Sequence, residues 1–193
     1  MENKKIPAKL YLCATPIGNL EDITLRCLRI LRGAAAVYCE DTRNTLKLIN
    51  HFEIKKTLIS CHEHNEEQRA NEIAERVRGG EAIAFVSDAG MPGVSDPGSR
   101  LVRFFVENNL PFEVLPGANA VLTAWVMSGL PTESLYFCGF IPRSGAERSE
   151  AVERIKNSEA TVVIYESPHR VAATFADFSS GASARERCTC CAA

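Results

Sequence analysis

The 193-residue sequence has no long apolar run and carries little net charge. No uninterrupted apolar segment approaches the roughly 20 residues that span a bilayer, so we expect no membrane contact. The charged N-terminus is followed by only a short apolar segment, so we expect no secretory signal and a cytoplasmic protein. A formal net charge of −2 gives no global sign of nucleic-acid affinity, so any such contact must come from local basic patches.

The sequence also lacks the spacings that mark common phosphate and metal sites. Neither GxxxxGK[ST] nor GxGxxG occurs, which disfavours an NTPase or a nicotinamide dehydrogenase. His62 and His64 flank Glu63, but the spacing is not HExxH and no further ligands are offered, so we expect no metal site. Three of the eight cysteines crowd the last six residues without a second ligand pair, and the other five lie in apolar stretches as buried thiols.

One stretch, residues 82–98, combines a buried strand with a loop suited to binding. Residues 82–86 are unbroken apolar, as in a strand buried on both faces of a parallel sheet. A turn rich in glycine and proline follows, and Asp96 before Pro97 predicts the N-cap of a helix. Ligands of open α/β sheets bind beyond the carboxyl ends of the strands, so we expect a cofactor here. The same glycines and prolines would also serve a turn alone.

Six further apolar segments predict strands, at residues 10–14, 34–39, 57–60, 112–115, 135–140 and 161–165. Helical spacing between them predicts an α/β fold with a mostly parallel sheet, in which Asp22 caps the first helix. Asn65 with Gln68 resembles a capping box.

The organisation of the chain changes after the fifth predicted strand. Residues 118–128 are apolar almost all round, which predicts a helix buried between two layers or lobes. We expect an N-terminal α/β lobe at residues 1–117 and an incomplete C-terminal α/β lobe at residues 118–178. Residues 179–193 have no periodicity and form an atypical tail that we expect to be disordered.

Seven short blocks resemble, in order, the ribosomal RNA small subunit methyltransferase I family of the tetrapyrrole-methylase superfamily. They are TPIGNLED (15–22), EDTRNT (40–45), HEHNE (62–66), VSDAGMPGVSDPG (86–98), PGANA (116–120), SGLP (128–131) and YESPHR (165–170). Any one block is a modest signal, whereas seven in family order are very specific. Because members of the family extend further, the resemblance also implies that this chain is truncated at its C-terminus.

The resemblance implies a two-lobed enzyme dependent on S-adenosyl-L-methionine, usually a homodimer. Its reaction would be 2′-O-methylation of a cytidine in the 16S rRNA of the small ribosomal subunit. The family's cofactor site would fall on Asp88, Ala89, Gly90, Met91, Pro92, Asn119, Ala120 and Tyr165. The substrate would meet Pro16, Asn19 and His62, with Arg43, Arg143 and Arg170 as phosphate contacts.

A ribose hydroxyl is a poor nucleophile until it loses its proton, so a positioned base would help. The candidates, which sit at strand ends that face the predicted crevice, are His62, Glu63, Glu40 and Asp41, of which we favour Glu40 and Asp41. Each could equally serve as a helix cap or as a salt-bridge partner of Arg43. Two other interpretations stay open: a corrin or porphyrin C-methyltransferase of the same fold, and an inactive truncated fragment.

Overall fold

The computed structural model describes residues 6–179, and the chain divides into two compact units, residues 1–119 and 120–193. The division falls two residues after the boundary expected from the sequence. The mixed α/β fold class is confirmed, and the larger sheet is parallel throughout.

The first unit is built on five short strands. They are β1 (Leu10–Cys13), β2 (Ala36–Cys39), β3 (Leu58–Ser60), β4 (Ile83–Val86) and β5 (Phe112–Leu115). Their order across the sheet is β3-β2-β4-β1-β5. Every residue of β1, β2 and β4 is buried, which is why these segments are apolar without alternation.

Four helices cover the two faces of this sheet. They are α1 (Leu25–Gly33), α2 (Thr42–His51), α3 (Glu66–Arg78) and α4 (Ser99–Glu107). Alternate strand residues face opposite layers, so Tyr11 and Cys13 pack with α1 and α2, whereas Leu10 and Leu12 pack with α3 and α4.

The connections change direction at the centre of the sheet. From β1 the chain passes through α1 and α2 toward the β3 edge, and from β3 it returns through α3 and α4 toward β5. Right-handed crossovers place these two pairs of helices on opposite faces. The neighbouring strands β1 and β4 therefore send their chains to opposite sides, which opens a crevice at their carboxyl ends.

A backbone bridge spans the floor of this crevice. The Thr15 N–H donates to the Gly90 carbonyl over 2.9 Å, and the Gly90 N–H donates to the Thr15 carbonyl over 3.0 Å. Gly90 has φ +77°, a conformation that glycine adopts without strain. The loops after β1 and β4 are thereby fixed to each other.

Three helix starts differ from the sequence-based predictions. Thr24, not Asp22, caps α1, because residues Leu20–Asp22 form a single 3-10 turn of their own. Asn65 precedes α3, but its side chain accepts from the His62 N–H, so the predicted capping box is wrong. The Asp96 cap is also wrong, because α4 begins after Gly98, whose φ is +127°.

The second unit contains α5 (Ala120–Ser128), β6 (Leu135–Phe140), α6 (Gly145–Lys156), β7 (Thr161–Tyr165) and α7 (Val171–Ser179). Strands β6 and β7 pair in parallel. The burial predicted for α5 is not observed, since Val126 is 73% exposed and Met127 is 67% exposed. Among the described residues no helix is long and apolar enough to cross a membrane. The expected tail lies outside the described residues, apart from Ser179 at the end of α7.

The turn after β5 passes close to the end of β1 at Gly117. A Cβ added to Gly117 would lie 2.7 Å from the Cβ of Ala14, well inside contact distance. We predict that Gly117→Ala lowers the free energy of unfolding by about 1–3 kcal/mol, the range for overpacking, in denaturant titrations. Ala14→Gly in the same chain should restore most of the loss, and failure of this rescue would contradict the steric cause.

Candidate functional site

Asp88 follows the last residues of β4 and joins two loops at the crevice. Its Oδ1 accepts from the Asp41 backbone N–H over 3.2 Å, and its Oδ2 accepts from Asn44 Nδ2 over 2.8 Å. Both partners lie at the start of α2, where the helix dipole favours a negative charge. The carboxyl group is exposed, so its remaining lone pairs can accept hydrogen bonds from a ligand.

The carboxylate of Asp41 caps α2 and forms an ion pair with Arg43. Its Oδ1 accepts from the Arg43 backbone N–H over 2.8 Å, which caps α2. The Arg43 guanidinium also donates to both carboxyl oxygens, with Nε to Oδ1 at 3.1 Å and Nη2 to Oδ2 at 2.7 Å. The hydrogen bonds from Arg43 lower the pKa of Asp41 to about 2. A carboxylate held this way is a weak proton acceptor.

Glu40 has the opposite environment, although it is the adjacent residue. Its Oε2 atom is buried and has no hydrogen-bond partner among the described residues. Burial raises the pKa of Glu40 above its ordinary value, and the charges of Asp88 and Asp96 raise it further. A hydrogen bond from the Asp88 backbone opposes this shift. Glu40 is therefore the more basic of the two carboxylates that the sequence favoured.

A polar cavity of about 450 Å³ adjoins Glu40 on the side of the sheet covered by α3 and α4. It is lined by Glu40, His62, Glu63, His64, Glu66, Ser95, Asp96, Pro97, Ser99 and Arg100. His62 Nδ1 is buried and has no partner among the described residues, while burial raises the pKa of Asp96. The cavity thus offers both hydrogen-bond donors and acceptors to a polar ligand.

Glu66 organises one wall of this cavity. It ends the HEHNE block, but nothing in the sequence marks it as the cap of another helix. Its side chain is buried, and Oε1 accepts from the Gly98 N–H over 3.0 Å and from the Leu101 N–H over 2.8 Å. These N–H groups lie at the start of α4, where no residue of the helix itself caps them. Glu66 therefore supplies from α3 the cap that was expected from Asp96.

A second, smaller cavity of about 190 Å³ lies on the other side of Asp88. It is lined by Thr15, Pro16, Leu20, Asn44, Thr45, Lys47, Leu48, Ser87 and Asp88. Ser87 is only 1% exposed, yet its Oγ has no hydrogen-bond partner among the described residues. Thr15 Oγ1 donates to the Ser87 carbonyl over 3.3 Å, which leaves the Ser87 hydroxyl itself unused.

The remaining residues expected at a cofactor or substrate site are distributed over both units. In the first unit Ala89 is exposed beside Asp88, Met91 is half-buried, Pro92 is buried, and Asn119 is the last residue. The side chain of Asn19 accepts from the Glu21 N–H over 3.1 Å and caps the 3-10 turn.

The other expected residues belong to the second unit. Ala120 begins α5, and Tyr165 ends β7 with its ring centroid 5.0 Å from that of Phe137. Arg170 donates to the Pro142 carbonyl over 3.3 Å and lies 3.4 Å from the Glu166 carboxylate, whereas Arg143 is exposed.

No group of three or more His, Cys, Asp or Glu side chains within residues 6–179 is placed to hold a metal ion. The five cysteines of this range are free thiols: Cys13, Cys27, Cys39, Cys61 and Cys138.

The Glu66 cap yields a stability prediction. Glu66→Ala should lower the free energy of unfolding by about 2–3 kcal/mol, because it leaves two helix N–H groups without their charged acceptor. Glu66→Gln should cost less, since its amide oxygen still accepts. Glu67→Ala, one residue along the helix and exposed, is the matched control for denaturant titrations. Equal effects of Glu66→Ala and Glu67→Ala would contradict the capping role.

The sequence of this chain is similar to those of known methyltransferases. The sequence profile of the Tetrapyrrole (Corrin/Porphyrin) Methylases matches residues 9–192. The ribosomal RNA small subunit methyltransferase I of Halalkalibacterium halodurans is 50% identical over 87% of this chain and 58% of its own length. The protein of the same name from Thermotoga maritima is 41% identical over 88% of this chain and 76% of its own length.

A solved structure extends the likeness to the fold. The uroporphyrin-III C-methyl transferase of Thermus thermophilus, complexed with S-adenyl homocysteine, aligns with a TM-score of 0.63 at 21% identity. The alignment covers 92% of this chain and 78% of that one. This chain spans little more than half the length of several curated relatives that it matches. The chain belongs to the tetrapyrrole (corrin/porphyrin) methylase family and, within it, to the family of ribosomal RNA small subunit methyltransferase I.

Proposed function

We propose that this protein transfers a methyl group from S-adenosyl-L-methionine to the ribose 2′-hydroxyl of a cytidine in 16S rRNA of the small ribosomal subunit. Eight relatives of 41–50% identity are named ribosomal RNA small subunit methyltransferase I, which supports the substrate. The observation that carries the chemistry is Glu40, whose unpartnered carboxyl oxygen adjoins a polar cavity at the end of the sheet.

The loop after β4 fits the cofactor. S-adenosylmethionine supplies a methyl group on a sulfonium, which an in-line displacement transfers. Asp88 presents an exposed carboxyl group that can accept from hydroxyl or ammonium donors of the cofactor, and the small side chain of Ala89 leaves room beside it. Met91 and Pro92 add apolar surface in the same loop. Asn119, Ala120 and Tyr165 complete the proposed set by resemblance to the family.

Glu40 is the proposed general base. Its raised pKa makes it a better proton acceptor than Asp41, which Arg43 holds as a committed carboxylate. The target nucleotide would occupy the larger cavity, where the buried Nδ1 of His62 can hydrogen-bond to it. Pro16, Asn19, Arg43, Arg143 and Arg170 are the proposed further contacts with the RNA.

The other two interpretations have less support. Corrin or porphyrin methylation is supported by solved structures that are 17–24% identical to this chain, a likeness that concerns the fold alone. An inactive fragment would follow if the cofactor needs residues that the longer relatives possess, and a direct binding measurement decides this.

We also propose that the protein acts in the cytoplasm, where its proposed substrate is assembled, and that it forms a homodimer. The exposed apolar side chains of α5, Leu122, Val126 and Met127, support a self-association surface. Analytical ultracentrifugation of the chain tests the dimer, which a purely monomeric sedimentation profile would refute.

Calorimetric titration with S-adenosylmethionine tests the cofactor. We predict that the 193-residue chain binds it and that Asp88→Asn weakens binding by about tenfold or more, the value of a charge-assisted hydrogen bond. Asp22→Asn, an exposed carboxylate on the 3-10 turn, should leave the affinity unchanged. Absence of binding by the unaltered chain would favour the inactive fragment instead.

The rate of methyl transfer to small ribosomal subunits tests whether Glu40 is the general base. Glu40→Gln should lower kcat by about 10²–10⁴-fold, the usual contribution of a general base, and Asp41→Asn should retain most of the activity. Because the pKa of Glu40 is raised, the rate should fall on acidification at a pH above the ordinary glutamate range. Glu67→Gln alters an exposed carboxylate of α3 that does not line the cavity, and it is the control. Full activity of Glu40→Gln would exclude Glu40 as the base.

A further inference from the structure

The two faces of the first unit differ in the charge of their helices. Helices α1 and α2, which share one face, carry five arginine or lysine residues and no aspartate or glutamate. Helices α3 and α4 on the opposite face carry five basic and five acidic residues. The two helices of one face therefore carry net positive charge in a chain whose net charge is −2.

Ion pairs reduce this positive charge only in part. Arg26 pairs with Glu113 of β5, and Arg43 pairs with Asp41. Arg32 donates to the Phe52 carbonyl over 3.2 Å, which is a neutral acceptor and leaves its charge unbalanced. Arg29 and Lys47 form no ion pair with any residue in the described part of the chain, and both are exposed.

The smaller cavity lies beside this surface and contains an unused polar group. Lys47 and Asn44 of α2 form part of its lining, and Ser87, whose hydroxyl oxygen is buried, forms another part. A buried hydroxyl without a partner costs free energy, and a ligand that hydrogen-bonds to it recovers that cost. The lining combines a hydroxyl, a carboxylate and an ammonium group with apolar walls from Pro16, Leu20 and Leu48.

We propose that this face binds the RNA strand beside the target nucleotide, with one flanking ribose in the smaller cavity. In this arrangement the Ser87 hydroxyl hydrogen-bonds to the ribose 2′-hydroxyl, while Lys47 and Arg29 contact phosphates. The inference rests on the proposed function for its choice of RNA. The inference adds a second nucleotide site, separate from the cavity at Glu40. It also predicts that the RNA strand runs over α1 and α2.

The order of the helices supports a continuous path. Both helices begin at the carboxyl edge of the sheet, because each follows a strand that ends there. Lys47 lies one turn beyond Arg43, about 6 Å along α2 at 1.5 Å per residue. The hydrogen bond from Arg32 to Phe52 joins α1 to the end of α2, so their exposed faces are adjacent.

Fluorescence anisotropy with two single-stranded oligonucleotides of one mixed sequence, an RNA and its DNA counterpart, tests the cavity. The 2′-hydroxyl distinguishes the two probes, so the unaltered chain should prefer RNA. Ser87→Ala should weaken RNA binding about fivefold, as for one hydrogen bond, and leave DNA binding unchanged. Its melting temperature should not fall, because the hydroxyl has no partner to lose. An unaltered chain without RNA preference, or a Ser87→Ala chain that keeps it, would overturn the cavity assignment.

Reversing the charge of basic residues on α1 and α2 tests whether this surface contacts the RNA phosphates. Combined Arg29→Glu and Lys47→Glu should weaken the binding of both oligonucleotides about tenfold or more. The magnitude of the slope of log K against log salt should fall by roughly 1.4, the value for two phosphate contacts with a single strand. Combined Arg78→Glu and Arg103→Glu makes the same charge change at exposed positions of α3 and α4 and should have a much smaller effect.

Equal losses of affinity in the two double variants would show a general charge effect and would overturn the assignment of RNA binding to the α1–α2 surface. If the unaltered chain binds RNA and neither Ser87→Ala nor the α1–α2 variant differs from it, the inference fails while the proposed methyl transfer stands. If the unaltered chain binds no RNA, both the inference and the proposed substrate fail. The cofactor titration is independent of all these outcomes.

Discussion

Burial of the central strands on both faces is the constraint on which the rest of the structure depends. Every residue of β1, β2 and β4 is buried, so these strands can carry no charged group along their length. Polar chemistry is therefore confined to the residues that follow each strand. Because the crossovers reverse between β1 and β4, the loops after these strands diverge and leave space for ligands. The Thr15–Gly90 bridge fixes that space at its floor.

Within this space, two carboxylates that are neighbours in sequence have different environments and therefore different proton affinities. Glu40 and Asp41 are adjacent, yet Glu40 has a buried oxygen with no hydrogen-bond partner in the described part of the chain, whereas Asp41 is bound by Arg43. Asp88 belongs to another loop and contacts the start of α2, so it connects the two sides of the crevice. The arrangement keeps one carboxylate available for proton transfer and commits its neighbour to holding the helix in place.

The sequence predicted the strands well because its signal was local. β5, β6 and β7 have the predicted bounds, and the other four strands differ by one or two residues at an end. Helix starts were predicted less well, since a cap can come from anywhere in space. The cap of α4 comes from Glu66, which is 32 residues before Gly98 and whose local sequence does not indicate a cap for α4. Helix α7 was not predicted at all.

The sequence by itself determined the α/β class, the places where polar loops follow buried strands, and the family, because apolar runs and ordered motifs are properties of the chain. Only the tertiary structure decided that Ser87 Oγ and His62 Nδ1 have no hydrogen-bond partner among the described residues, which carboxylates remain available, and which two helices with only basic charges share a face. These features depend on distances between residues far apart in sequence. Burial and hydrogen bonding set their chemistry, and both arise only when the strands and helices pack.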